Sequence, residues 1–396
     1  MKKIIIIVFS LVLVIAGLFW LYFQIIDNHK SLENNGVNSN MSDKNKNFQS
    51  SSSPIVSIPE KILANKFGWL GGSEPDNPFV GDAGGAWVRP HPGPFLWDAM
   101  QGGKNEAIDF SKTDQIVQYQ QSQNYGVLAT IWPFAEWDQP RRDLCAVSNQ
   151  DEFLRQNDTK GRIDYLPLHR CNPTDWDEYR KWVAVVVERY DGDGANDMPG
   201  LKIPIKYWEV MNEPDLSFAG NSPDKNRLNF YKEGPKEYAT LLIQTAWAIR
   251  LSDENARILI AGSAGSDKQF LDFYRQVFSV AGVQDVFDIG NIHCISNDHG
   301  ANDFNVGAYK NLLAEFKIAK PIWVTEAESF NGQTAAENYE LTKKSTWGAM
   351  LAGAERIFYT RYNFADFRTD MSQKTVDSEE SIRFSVQQYQ NITSQF

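Results

Sequence analysis

Eight short runs rich in Val, Ile and aromatic residues, each followed by a longer polar or helix-like segment, constrain the fold of this 396-residue chain more than any other feature. They are Lys66–Leu70, Ala86–Arg89, Tyr125–Trp132, Ile205–Met211, Arg257–Ala261, Phe287–His293, Pro321–Thr325 and Arg356–Tyr362. Strands that alternate with helix-length connections are the pattern of a parallel α/β protein, and eight is the number that closes a (β/α)8 barrel. A helix is expected from Thr174 to Tyr190: it opens on the capping-box-like Thr174-Asp-Trp-Asp177 and repeats Trp182, Val183, Val186, Val187 and Tyr190 at helical spacing. Gly234–Leu251 and Ala335–Ala352 read equally well as helices. Gly71–Gly85, with two prolines and five glycines, has room for a short helix at most. An open, doubly wound sheet is the competing arrangement, but no glycine-rich nucleotide fingerprint follows any of the runs.

The C-terminal ends of barrel strands form the active face, so polar residues there carry the functional reading. Lys206–Asp215 is an apolar strand running into Asn212-Glu213-Pro214, where proline ends the strand and leaves Glu213 at the mouth. Glu209 lies four residues deeper, roughly 13 Å along the strand, and reads as a buried structural carboxylate. Pro321–Ser329 also turns acidic at its C-terminal end, with Glu326 and Glu328 on one face by alternation and not separable by it. Two carboxylates on facing strand ends are the equipment for cleaving a glycosidic bond: one protonates the leaving oxygen while the other attacks or activates water.

These two segments resemble the fourth- and seventh-strand motifs of clan A glycoside hydrolases, nearest in pattern to families 5 and 39. The resemblance runs from about Lys66 to Tyr362. It implies a retaining hydrolase of β-glycosidic bonds, with Glu213 as acid/base, Glu326 as nucleophile in preference to Glu328, and Asn212 at the sugar's 2-hydroxyl. It also implies that Arg89 supports the nucleophile, although a structural salt bridge from Arg89 to Glu209 is an equal reading. His293 falls where the clan has a His or Tyr lining the substrate site, but His293-Cys-Ile295 lacks the clan's frequent His-x-Tyr. Tyr359 and Tyr362 stand where an eighth-strand Trp floor is usual. Trp132 and Trp137, after the third strand, are either sugar platforms or loop anchors.

A formal net charge of −11 leaves no basic excess for a phosphate backbone, which argues against nucleic acid and fits a neutral or weakly charged substrate, as the carbohydrate implied by the resemblance would be. Residues Ile4–Ile26 are free of charge, follow Lys2 and Lys3, and are long enough to span a bilayer. The expected organisation is therefore a transmembrane signal anchor over 1–27, a flexible Asn/Ser/Lys/Asp linker over 28–60 and a catalytic barrel over 61–396. The barrel would lie on the extracytoplasmic side of a single-pass membrane anchor, or be secreted if the segment is cleaved. In that compartment Cys145 and Cys171, which flank a polar loop, are expected to be bridged, with Cys294 a buried free thiol. Asp191, Asp193 and Asp197 form either a tight Gly/Asp turn or a structural calcium loop. No cofactor is expected, and five histidines without metal-ligand spacing give a catalytic zinc no support. The rival readings are a non-catalytic carbohydrate-binding surface protein on the same barrel and a transglycosylase.

Overall fold

All eight expected runs form strands, which we label β1 (Phe67–Leu70), β2 (Trp87–Arg89), β3 (Gly126–Ile131), β4 (Tyr207–Val210), β5 (Arg257–Ile260), β6 (Gly290–Cys294), β7 (Ile322–Ala327) and β8 (Ala354–Tyr359). The computed structural model describes residues 54–71, 79–139, 145–147, 166–216, 230–295, 302–329, 331–361, 363–364 and 379–396. The expected anchor, most of the linker and Tyr362 lie outside the described residues. Among the described residues no helix is long and apolar enough to cross a membrane.

Every strand pairing is parallel, in the order β5-β4-β3-β2-β1-β8-β7-β6. The ring closes between β5 and β6 through bridges pairing Leu259 with Ile289 and Ser263 with Ile292. His293 N donates to Ser263 O at 2.9 Å across that seam. This is the expected barrel, and the open-sheet alternative is excluded.

The helices in chain order are α1 (Glu60–Ala64), α2 (Trp97–Met100), α3 (Ser111–Ser122), α4 (Trp176–Glu188), α5 (Pro235–Ser252), α6 (Lys268–Phe278), α7 (Val283–Val286), α8 (Val306–Glu315), α9 (Ala335–Ala352) and α10 (Glu379–Thr393). Among the described residues there is none between β1 and β2. The start of α4 corrects the sequence reading: Asp175, not Thr174, is the N-cap, and its side chain accepts from Glu178 N at 3.0 Å. At α9 the reciprocal box between Thr334 and Glu337 is complete, and Gly353 ends the helix in the left-handed region. Val56 N already donates to Gly192 O at 2.9 Å, and Ile58 is buried, so the chain joins the barrel before α1.

Alternation along the strands sorts two cores. Outward residues such as Val88, Val127, Ala129, Trp208 and Val324 meet the helices in a large apolar cluster. Inward residues build a floor from Trp87, Leu128, Leu259, Ile289, Trp323 and Phe358, closed from below by Ile62 of α1. Arg356 lies over the Trp87 and Trp323 rings, 4.1 and 4.3 Å from their centroids, and donates to Leu63 O and Asn65 O. Gly68 is required here, because a Cβ would come within 2.6 Å of the Phe358 ring. Above this floor the inward positions become polar: Arg89, Thr130, Glu209, Asn291 and Thr325, each fully buried. The barrel is thus apolar at its N-terminal end and charged at its C-terminal mouth.

Candidate active site

Glu213 follows β4 in a turn whose backbone is unusual. Met211 and Glu213 both take left-handed φ values, 72° and 40°, flanking Asn212. Such a conformation costs a non-glycine residue about 1–3 kcal/mol and is characteristic of functional turns. It ends β4 one residue short of the expected Met211 and turns Asn212 and Glu213 over the mouth. Glu326 comes from β7, which carries one residue more than either neighbour at this level. Ile292 pairs with Val324 but His293 with Glu326, and on the other side Val324 pairs with Ile357 and Ala327 with Tyr359. This bulge at Thr325 breaks alternation. Strict alternation would put Glu326 on the outward face of Val324, whereas Thr325 and Glu326 both reach the interior.

There the two glutamates meet. A carboxylate oxygen of Glu213, one of Glu326 and a ring nitrogen of His293 all lie within 4.8 Å of one another. Arg89 organises the group from below. Its Nε donates to Glu209 Oε2 at 2.7 Å, Nη1 to Glu326 Oε1 at 2.9 Å and Nη2 to Asn212 Oδ1 at 2.6 Å. Arg89 is thus bonded to both Glu209 and Glu326 at once. Burial works against the Arg89 charge, but Glu209 and Glu326 outweigh it and hold the guanidinium ionised. Glu209 is satisfied from all sides, accepting also from Thr130 Oγ1 at 2.6 Å and Asn291 Nδ2 at 2.6 Å. That is the buried structural role expected of it. Burial raises the Glu326 pKa and Glu213 adds to the effect, while His293 and Arg89 oppose it.

The proton on His293 follows from its neighbours. Asn291 donates through Nδ2 to Glu209, so its Oδ1 is an acceptor, 2.8 Å from Thr325 Oγ1. With its one hydrogen given to Asn291 or Glu209, Thr325 Oγ1 accepts from His293 Nε2 at 2.8 Å. Burial pushes the His293 pKa down to about 4, so the ring is neutral near pH 7 and its Nδ1 is a bare acceptor. Glu213 Oε1 lies 2.7 Å from that nitrogen. A hydrogen bond across this contact would then take its proton from Glu213. Asn212 Nδ2 is buried with no hydrogen-bond partner among the described residues, leaving a donor at the mouth for a bound group.

Glu328 is separated from this group. Arg361 holds it in a two-pronged ion pair, Nε to Oε2 at 2.9 Å and Nη2 to Oε1 at 2.7 Å, and Thr360 Oγ1 donates to Oε2 at 2.7 Å. Three other sequence candidates are not assembled with the glutamates. Tyr359 is buried between barrel and helices, its ring tilted against those of Trp69 and Tyr389, with its hydroxyl on Thr346 of α9. Trp132 is fully buried, its indole N–H bound to Pro92 O, and is a loop anchor. Trp137 is half-buried, with its ring 4.9 Å from that of Trp97 and its N–H on Gln101 O. In the loop before β4, on the opposite face, carboxylate oxygens of Asp191, Asp193 and Asp197 lie within 4.8 Å of one another. They accept from the loop's own amides, Gly192 and Gly194 to Asp197, Asp193 to Asp191, and Ala195 to Asp193. Burial pushes Asp191 up to about 7. Cys145 and Cys171 are bridged, with Cα atoms 5.3 Å apart, and Cys294 is a buried free thiol.

No protein-family model matches the sequence, and comparison with curated proteins finds no match either. Solved structures do match. A family 39 glycoside hydrolase from Xanthomonas axonopodis pv. citri superposes with a TM-score of 0.52 at 15% identity, over 86% of this chain and 66% of its own. Another from Bacteroides cellulosilyticus gives 0.51 at 14%, over 88% and 65%. What these structures share with the chain is the parallel eight-stranded barrel fold. An endo-1,4-β-mannanase from Rhizomucor miehei superposes with a TM-score of 0.50 at 13% identity, over 84% of this chain and 95% of its own. The chain spans about two thirds of the two family 39 structures, 65% and 66% of their lengths.

Proposed function

We propose that the protein is a retaining glycoside hydrolase that cleaves β-glycosidic bonds by double displacement. The observation that carries this reading is the approach of Glu213 and Glu326 carboxylate oxygens to within 4.8 Å at the C-terminal mouth. Retaining enzymes hold their carboxyl groups about 5–5.5 Å apart, whereas inverting enzymes need about 6.5–9.5 Å to seat a water. Glu326, ionised against Arg89, attacks the anomeric carbon while Glu213 gives its proton to the leaving oxygen. Water then resolves the glycosyl-enzyme with Glu213 as base. His293 takes no proton in this scheme and orients the acid. The unpartnered Nδ2 of Asn212 fits a donor to a sugar hydroxyl. No cofactor enters the reaction.

The family 39, mannanase and other glycosidase barrels that share the fold support this activity by analogy. The uncharged run Ile4–Ile26 and the Cys145–Cys171 bridge together support an anchored domain outside the cytoplasm, where such substrates are met.

The test is to follow hydrolysis of aryl β-glycosides and of β-mannan, β-xylan and β-glucan oligosaccharides by proton NMR. A first-formed product of β configuration is the expected result. An α product would mean inversion. Binding without turnover on every substrate would favour the carbohydrate-binding alternative.

A further inference from the structure

Asp215 lies two residues beyond Glu213, is fully buried, and takes no part in the reaction proposed above. Its Oδ2 is 2.9 Å from Ser263 Oγ and 3.0 Å from Ala264 N, and its Oδ1 is 3.3 Å from the same amide. These contacts fasten the left-handed turn after β4 to the segment after β5. Ser263 O in turn accepts from His293 N at 2.9 Å, so the fastening reaches the strand that holds His293 against Glu213.

Hydrogen counting fixes the form of this carboxyl group. Ser263 Oγ lies 2.9 Å from Asp215 Oδ2 and also 2.9 Å from Gly265 O. A carbonyl and a carboxylate only accept, and a hydroxyl has one hydrogen to give. With Asp215 ionised, one of the two contacts would press lone pairs together in a buried site. With a proton on Oδ2 both are hydrogen bonds, running from Asp215 to Ser263 and from Ser263 to Gly265. Burial drives the Asp215 pKa well above the carboxylate range, and nearby Glu213 pushes the same way. Among the described residues the other titratable groups that face it are Tyr238 of α5, Tyr274 of α6 and Tyr309 of α8, and none of these supplies a positive charge.

We propose that Asp215 is a positioning residue for Glu213, a neutral carboxylic acid whose hydrogen-bond chain through Ser263 to the Gly265 carbonyl clamps the turn carrying the acid/base. The inference rests on the reading of Glu213 given above. A fixed anion at this place would oppose ionisation of Glu213, which must give up its proton in one half-reaction and regain it in the next. A neutral clamp sets position without that opposition.

The test uses the full chain with Asp215→Asn and Asp215→Ala, read by activity on an aryl β-glycoside and by thermal unfolding across pH. Asparagine is neutral like the acid, its Nδ2 donating to Ser263 and its Oδ1 left to accept from Ala264 N, which lies 3.3 Å from that oxygen and 3.0 Å from the Oδ2 that Nδ2 replaces. Asp215→Ala is expected to lower kcat about tenfold or more through misplacement of Glu213. Asp215→Asn should restore kcat, with the alkaline limb of kcat/KM where the wild type has it. The folded wild type keeps a proton that its unfolded chain releases near pH 3.9. Its Tm should therefore fall relative to Asp215→Asn as pH is raised from about 5 to about 8. An alkaline limb displaced to lower pH in Asp215→Asn, or a Tm difference constant across pH, would show an ionised Asp215 and overturn the proposal. The Tm comparison needs no substrate, so it decides the state of Asp215 even if no glycosidase activity is found.

Discussion

His293 Nδ1 lies 2.7 Å from Glu213 Oε1, and the same ring is held from its far side by Thr325 Oγ1 at 2.8 Å. The imidazole is thereby an acceptor toward the acid and a donor toward the barrel interior. Accepting from neutral Glu213 favours its protonated form. Replacing His293 with Ala should therefore move the alkaline limb of kcat/KM to lower pH and reduce kcat on the order of 10²-fold. A limb that stays in place would mean the contact has no part in holding the proton.

The depressed pKa of His293 also makes a stability statement. The unfolded chain binds a proton near pH 6.5, the folded one only near about 4, because burial penalises the charged ring. Between those values acidification favours the unfolded state, so the His293 contribution is present above the window and lost as pH falls through it. The loss amounts to about 1.4 kcal/mol per pH unit. His293→Gln should flatten the acid side of a Tm-against-pH curve relative to wild type.

Arg89 holds Glu209, Glu326 and Asn212 with three separate donors. A lysine ammonium cannot reproduce that fork. Arg89→Lys is expected to reduce kcat/KM about 10²-fold or more. Arg89→Met leaves two buried carboxylates uncompensated and should cost about 3–5 kcal/mol in denaturant unfolding.

Glu328 and Arg361 form a pair apart from the glutamates at the mouth. Glu328→Gln should keep most of the activity while lowering stability by roughly 2 kcal/mol, less than a fully buried pair because Arg361 is partly solvated. Loss of activity with unchanged stability would contradict the separation.

The Cys145–Cys171 bridge closes a loop of 26 residues in sequence separation. Replacing both with Ser should cost about 3–4 kcal/mol in the chain-entropy model. Titration of the denatured, unreduced wild type should find Cys294 as the one free thiol.

What was legible in the sequence is what repeats. Strand runs, the paired helices and the acidic strand ends follow from hydrophobic period and chain order, and all eight strands lie where those patterns put them. The bulge at Thr325 was not legible, because one extra residue leaves no mark on composition, yet it decides which way Glu326 points. Nor were Thr130, Asn291 and Thr325 singled out, although each is a lone polar residue at an inward position of an otherwise apolar strand. Tyr359 follows the inward Phe358, so alternation turns its ring into the outer core and away from the mouth. Arg361, just past that end, holds Glu328, a contact joining residues that 33 positions separate.

The nucleophile assignment bears the most weight, and covalent trapping tests it directly. Incubation with an activated 2-deoxy-2-fluoro-β-glycoside should inactivate the enzyme, because the fluorine slows breakdown of the glycosyl-enzyme. Peptide mass spectrometry is then expected to find one sugar esterified to the Glu326 carboxylate. Glu326→Gly should abolish both hydrolysis and labelling, and with added azide should convert the activated β-glycoside to the inverted α-glycosyl azide. A sugar carried by Glu328, or labelling that survives in Glu326→Gly, would contradict the account.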